Sequence, residues 1–199
     1  AIQQRIKIIN EAMESKGDSR KDFVKALMFF SLFTENVSLF SQFYIAMSYN
    51  KFYNYMKGMS NGIEASTKEE DLHANFWAAV INIIQEEYPD LIGEQDKQDI
   101  VDLSAKALEG EYAILDWIFE LGDIKHIQQA PVKNYINYRM NKWLQAIGID
   151  HHFPVDEELL KETEWFEDEI MVTKHTDFFN KRATNYTKRA RSFSEDNLF

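Results

Sequence analysis

The chain of 199 residues sets 22 lysines and arginines against 33 aspartates and glutamates, a net charge of −11, with an apolar fraction of 45%. That is enough apolar content for one packed core, and too acidic a surface for a nucleic-acid backbone or an anionic membrane. Cysteine is absent, which excludes disulfides, thiolate metal sites and a cysteine nucleophile, and is compatible with a cytoplasmic protein.

With only 7 Gly and 3 Pro, long stretches carry no breaker, and the pattern predicts an all-α protein. Ile2 to Glu14 reads as a short amphipathic helix ending near Gly17. Ser19 and Asp22 then mark a new helix start with an acid in its first turn. The helix that follows runs from about Arg20 to the high forties and is apolar on nearly every face, as a helix buried among others is. Asn50, Asn54, Lys57, Gly58 and Gly62 mark a connection. The next helix spans about Asn61 to Glu87, with Phe76, Val80, Ile83 and Ile84 as its buried stripe and Pro89 as its stop. Two more run from about Gln95 to Leu121 and from about Pro131 to Ile147, each followed by a glycine, Gly122 and Gly148. Beyond Asp150 an irregular segment is expected, anchored by Phe153, Trp165, Phe166, Phe178 and Phe179, with the acids from Glu157 to Glu169 as a solvated face. Residues 1–150 thus form the helical bundle portion and residues 151–199 an irregular segment ending in a tail. The most apolar run, Ala26 to Phe33, is too short to span a bilayer, and no signal peptide is visible.

Two features point to chemistry. Glu35 sits in the middle of the greasiest helix, where an unpaired carboxylate would cost several kcal/mol. It therefore needs a partner, either a structural ion pair or a metal. Glu70 and His73 are three apart on the following helix and so share one side, about one turn apart. Helical dimetal-carboxylate sites take a lone Glu from each of two helices and a Glu-x-x-His from each of the other two. This chain offers one of each, which is half of such a set. A bare Glu-x-x-His is common by chance, and the buried Glu35 on the preceding helix is what raises its weight. At 1.5 Å per residue, Glu70 lies roughly 16 Å into its helix if that helix starts near residue 59. Glu35 is level with it only if its own helix is broken around Tyr49 to Asn54. Carboxylates with imidazole suit iron or manganese, and Leu39, Phe40, Phe43 and Phe76 would line such a site. The histidines His126, His151, His152 and His175 fall near helix ends and read as solvated or capping groups.

Phe33-Thr34-Glu35-Asn36-Val37-Ser38-Leu39-Phe40-Ser41-Gln42-Phe43, followed by Lys68-Glu69-Glu70-Asp71-Leu72-His73, resembles the small, radical-generating subunit of class I ribonucleotide reductase, a ferritin-like helical bundle. Downstream, Glu111-Tyr112 with Asp116-Trp117-Ile118-Phe119, then Asn134-Tyr135-Ile136 with Arg139-Met140, Leu144 and Gly148, and finally Glu164-Trp165 and Phe178-Phe179 with Arg182 and Tyr186, extend the resemblance over essentially the whole chain. The resemblance implies Glu35, Glu70 and His73 as metal ligands of a dinuclear iron or manganese centre. It implies Tyr186 as the tyrosine passing the radical onward, and Glu69 at a relay position where the family usually has Asp. The ending, with Phe193, Leu198 and Phe199, resembles the tail that docks on the large catalytic subunit. A homodimer of the small subunit is implied too. No second Glu-x-x-His is found, so the remaining ligands are expected upstream of Ala1, in a missing N-terminal half. The chain is then a C-terminal fragment or one half of a split subunit, inactive alone, of a ribonucleoside-diphosphate reductase serving deoxyribonucleotide synthesis. Two other readings stand beside it: a ferritin-like dimetal oxidase, and a fragment that binds the large subunit without assembling a metal site.

Overall fold

The computed structural model describes residues 1–14 and 19–171, and the side chains of residues 12–14, 35 and 171 lie outside that description. Tyr186, Phe193, Leu198, Phe199, His175, Phe178 and Phe179 fall outside it as well. The described residues form eight α-helices and no β-strand. These are α1 (Ile2–Glu14), α2 (Arg20–Asn36), α3 (Phe40–Tyr53), α4 (Lys57–Glu87), α5 (Glu94–Ile118), α6 (Gln129–Ala146), α7 (Glu157–Lys161) and α8 (Glu164–Met171). None of them is long and apolar enough to cross a membrane.

The start of α2 follows from local chemistry. Ser19 has extended backbone, and its hydroxyl accepts from the Asp22 N–H at 3.1 Å, satisfying one of the amides left over at a helix start. The helix then stops at Asn36, where the sequence predicts continuation into the high forties. Val37 and Ser38 both donate their N–H to Phe33 O, at 3.1 and 2.8 Å, which widens the turn. Phe40 N donates to Val37 O instead of Asn36 O, and helix resumes as α3. The interruption coincides with a polar run, Thr34, Asn36 and Ser38, residue types whose side chains can compete for backbone groups. The Asn36 amide, for example, donates to Ser31 O at 2.6 Å.

The second break falls next to where the sequence analysis sets it. α3 ends at Tyr53, Asn54 takes left-handed backbone with φ 60°, and its N–H returns to Asn50 O at 2.9 Å. Asn tolerates that conformation better than most residues. α4 begins four residues earlier than predicted, so Gly58 and Gly62 lie inside a helix and not in a loop. Gly122 and Gly148, with φ 105° and 74°, follow α5 and α6 in the left-handed conformation that glycine takes without a steric penalty. The segment after Asp150 is less irregular than expected, since it contains α7 and α8.

α2 packs on α4, α5 and α6, α3 on α4 and α6, α1 on α5, and α8 reaches α4. Met28, Phe29, Leu32, Phe33, Phe40 and Tyr135 are buried at the centre, and Phe166 seals the α8 end. The expected stripe of α4 is only partly inward: Val80 and Ile84 are half-buried, and Ile84 packs on the core. Ala74, Ala78 and Ile81 are buried, while Phe76 and Ile83 are 57% and 53% exposed, joined by Leu72 at 68%. Both stripes have helical spacing. Periodicity finds a stripe but does not say which of two neighbouring stripes meets the rest of the chain.

Candidate metal centre

The backbone of Glu35 lies in the last turn of α2, one residue before the interruption. Glu70 and His73 lie near the middle of α4, and Glu70 Oε2 is 3.5 Å from His73 Nδ1. The i, i+3 spacing therefore brings a carboxylate and an imidazole to one spot. The Glu70 side chain is 23% exposed and that of His73 56% exposed. Glu69 is exposed on the same helix. Among the described side chains, no three acidic or imidazole groups converge on one point that could hold a metal ion. The Glu35 carboxylate is not among them.

The position of Glu70 and His73 around α4 is informative. At about 100° per residue, the buried residues Ser60, Thr67, Ala74, Ala78 and Ile81 face one way, and Leu72, Phe76 and Ile83 face the nearly opposite way. Glu70 and His73 project between the two. In a four-helix bundle, an inward-pointing ligand lies between the faces that touch the two neighbouring helices. One of these faces is covered here by α2 and α3, and the other carries the exposed apolar residues. The donor chemistry fits an iron or manganese ion: hard carboxylate oxygen and imidazole nitrogen, with no thiolate.

Behind the segments that carry the candidate ligands lies a buried ionic network that the sequence reading did not single out. Arg139 is wholly buried, donates from Nε to Asn36 O at 3.2 Å and from Nη1 to Glu167 Oε1 at 2.9 Å. Its guanidinium carbon lies 3.7 Å from the centroid of the buried Phe40 ring. The Tyr135 hydroxyl donates to the same Glu167 oxygen at 2.5 Å. Burial works against the charge on Glu167, but Arg139, the Tyr135 hydroxyl and Lys142 outweigh it and hold the carboxyl below its usual value. Burial pushes the Tyr135 phenol well above its ordinary value. Glu167 thus departs from the solvated acidic face expected of it. The signal that could have found Arg139 was its place on a helix whose neighbours Tyr135, Ile136, Met140 and Leu144 have core spacing.

From the other side Arg5 donates from Nη2 to Ser38 O at 2.8 Å and pairs with Glu111 through both carboxylate oxygens, at 2.7 and 2.5 Å. Burial pushes the Glu111 carboxyl up, and Arg5 offsets part of that shift. The backbone carbonyls at the α2–α3 interruption are thus taken up by two guanidinium groups from opposite sides. Each supplies a charge-assisted bond where the regular helix ladder fails.

Of the expected lining, Phe40 is fully buried beneath Arg139, Leu39 and Phe43 are half-buried, and Phe76 is exposed. His126 is no solvated end group. It is half-buried, its Nε2 is 2.8 Å from Ser48 Oγ, and its ring packs against Tyr49, Phe52 and Tyr53. Burial and then Lys125 hold its pKa below the usual value. His151 packs on Phe153, and His152 lies 3.3 Å from Asp150 at the surface.

The model of the family described as ribonucleotide reductase, small chain, matches residues 1–185. The chain belongs to the ribonucleotide reductase small-chain family. A ribonucleoside-diphosphate reductase small subunit of Invertebrate iridescent virus 3 is 29% identical over 161 residues, which cover 80% of this chain and 42% of that one. The ribonucleoside-diphosphate reductase beta subunit of Chlamydia pneumoniae is 25% identical over 170 residues, covering 82% of this chain and 46% of its own length. A crystal structure of a chain described as class I ribonucleotide reductase from Bacillus halodurans superposes with a TM-score of 0.69 at 20% identity, over 84% of this chain and 59% of that one. At that identity the superposition speaks for the helical fold alone. This small-chain family member therefore spans less than half the length of these two curated relatives.

Proposed function

We propose that this chain supplies one half of the dinuclear metal-carboxylate centre of a ribonucleoside-diphosphate reductase small subunit, through Glu35, Glu70 and His73. The observation that carries the proposal is the Glu70–His73 pair, 3.5 Å apart, on the seam between the packed and the uncovered face of α4. Family membership over residues 1–185 supports it. The remaining ligands come from helices that this chain does not contain, packed on Leu72, Phe76 and Ile83. Iron or manganese bound there would supply the one-electron oxidising equivalent that the reductase uses. The protein's own contribution is to hold the carboxylates and imidazole at fixed spacing and to exclude water through Phe40 and its neighbours.

Beyond the centre, Glu69 and Tyr186 would relay the oxidising equivalent, and the tail with Phe193, Leu198 and Phe199 would dock on the large subunit. Small subunits would pair with each other, and the substrate nucleotide would stay on the large subunit.

In the protein assembled with its remaining helices, Glu70→Ala and His73→Ala are each expected to lower retained iron or manganese from two per site. Unchanged metal content in either variant would remove that residue from the centre. Deleting residues 193–199 is expected to abolish binding to the large subunit and leave metal content unchanged. Loss of metal together with binding would point to a folding role for the tail instead.

A further inference from the structure

The Arg139 side chain reaches the residues that follow two of the candidate ligands. Asn36 directly follows Glu35, and Asp71 directly follows Glu70. Arg139 touches both neighbours. Its Nε bonds Asn36 O at 3.2 Å, and its Nη2 lies 3.8 Å from Asp71 Oδ1, while Nη1 is held by Glu167. Neither Nη2 of Arg139 nor Oδ1 of Asp71 has a hydrogen-bond partner among the described residues, and both atoms are buried. At 3.8 Å their contact is electrostatic and not a hydrogen bond.

We propose that Arg139 is a positioning residue for the candidate metal centre, setting the separation between the segment that carries Glu35 and the segment that carries Glu70. The inference rests on the half-centre reading of Glu35, Glu70 and His73. A guanidinium is planar and its donors diverge at fixed angles, so anchoring one edge fixes where the others point. Glu167 and the Phe40 ring anchor the group. The free edges then face the backbone after Glu35 and the carboxylate after Glu70. Two ligands on different helices need their spacing fixed to within a fraction of an ångström to hold one ion well. α2 is also interrupted just beyond Glu35, so the helix ladder does not provide that rigidity from the C-terminal side. Arg5 does not do the same work. It reaches Ser38 O, Gln42 and Glu111 and, among the described residues, is hydrogen-bonded to nothing on α4, so it fixes the turn and not the distance across to Glu70.

The test uses this chain and Co2+, whose visible absorption reports its coordination. Arg139→Lys keeps the charge beside Glu167 and loses the planar fork. A double variant, Arg139→Gln with Glu167→Gln, removes both charges of the buried pair together and carries the same comparison if the lysine variant does not fold. Leu108→Ala, a core truncation in α5, controls for lost stability. With helicity retained, the Arg139 variant is expected to bind Co2+ about tenfold more weakly and with an altered absorption band, as when a group that orients metal ligands is lost. The Leu108 variant should keep its affinity within about twofold. Equal affinity of the native chain and the Arg139 variant overturns the proposal, and so does an equal loss in Leu108→Ala. If the native chain alone binds no Co2+, which a half set of ligands allows, the half-centre reading stands or falls by the metal content of Glu70→Ala and His73→Ala in the assembled protein, and hydrogen exchange decides on Arg139 by itself. The amides of residues 37–43 and 70–74 must then exchange faster in the Arg139 variant than in both the native chain and Leu108→Ala. Unchanged exchange in those two segments overturns the positioning role.

Discussion

At the scale of single residues, the stability of the chain is concentrated in a few charges that burial makes expensive to disturb. Glu167→Ala would leave the buried Arg139 without its carboxylate, and the expected cost is about 3–5 kcal/mol by urea denaturation. A cost under about 1 kcal/mol would mean that the pair behaves as a surface ion pair. Asp96 is a second such group. It accepts from the Gly93 N–H at 3.0 Å at the start of α5 and from Lys21 at 2.8 Å. Lys21 first, then the Gly93 N–H, lower its pKa from 3.8 to about 2. Since the folded value is the lower one, these contacts contribute stability above the unfolded value of 3.8, and that contribution is lost as the pH falls through about 2. Asp96→Asn should therefore lower the melting temperature at neutral pH, and the native and variant curves should converge near pH 2. Parallel curves down to that pH would contradict the assignment. Glu35, Glu70 and His73 could be picked out in the sequence because a charge in an apolar run and an i, i+3 pair are visible without coordinates. Core spacing on α6 points to a buried Arg139, but its pairing with Glu167, 28 residues away in sequence, could not be read, because it depends on how α6 and α8 come together.

At the scale of elements, periodicity located helices well and their breaks unevenly. The N-cap at Ser19 and the turn at Gly148 are written in residues with strong backbone preferences, so these ends were legible, whereas α5 ends at Ile118, three residues before the end that Gly122 suggests. The interruption after Asn36 was not, because it depends on a polar run whose carbonyls are satisfied by Arg5 and Arg139 from distant parts of the chain. Gly58 and Gly62 misled the reading of α4 for a different reason. They lie within the helix at ordinary backbone angles, and a Cβ added to either would meet nothing within 4 Å. Helical glycine costs about 0.5–1 kcal/mol relative to alanine. Within this chain Gly62→Ala should therefore raise stability by about 0.4–1 kcal/mol, measured by thermal unfolding. In the assembled protein the same change should weaken assembly if another helix approaches closely at this face. A destabilised isolated chain would show that the glycine serves a contact inside the chain itself.

At the scale of the whole molecule, the described residues form a bundle with one helix covered on one side. Leu72, Phe76 and Ile83 line the other side of α4 next to Glu70 and His73. The sequence could show that the stripe was apolar and that a lone Glu and a Glu-x-x-His stand on consecutive helices. It could not show that this stripe faces away from α2 and α3, because that is a property of how the helices pack. Phe76→Asp should leave the stability of the isolated chain within about 0.5 kcal/mol, as a substitution at an exposed site does. If further helices complete the proposed centre on this face, the same change should prevent the chain from joining them. The most direct test of the account is the metal stoichiometry of this chain alone, measured after loading with Fe2+ or Mn2+ and removal of free ion. Three ligands leave too few bonds for a pair of ions, so no more than one weakly held ion per chain is expected. Two tightly held ions per monomer would contradict it.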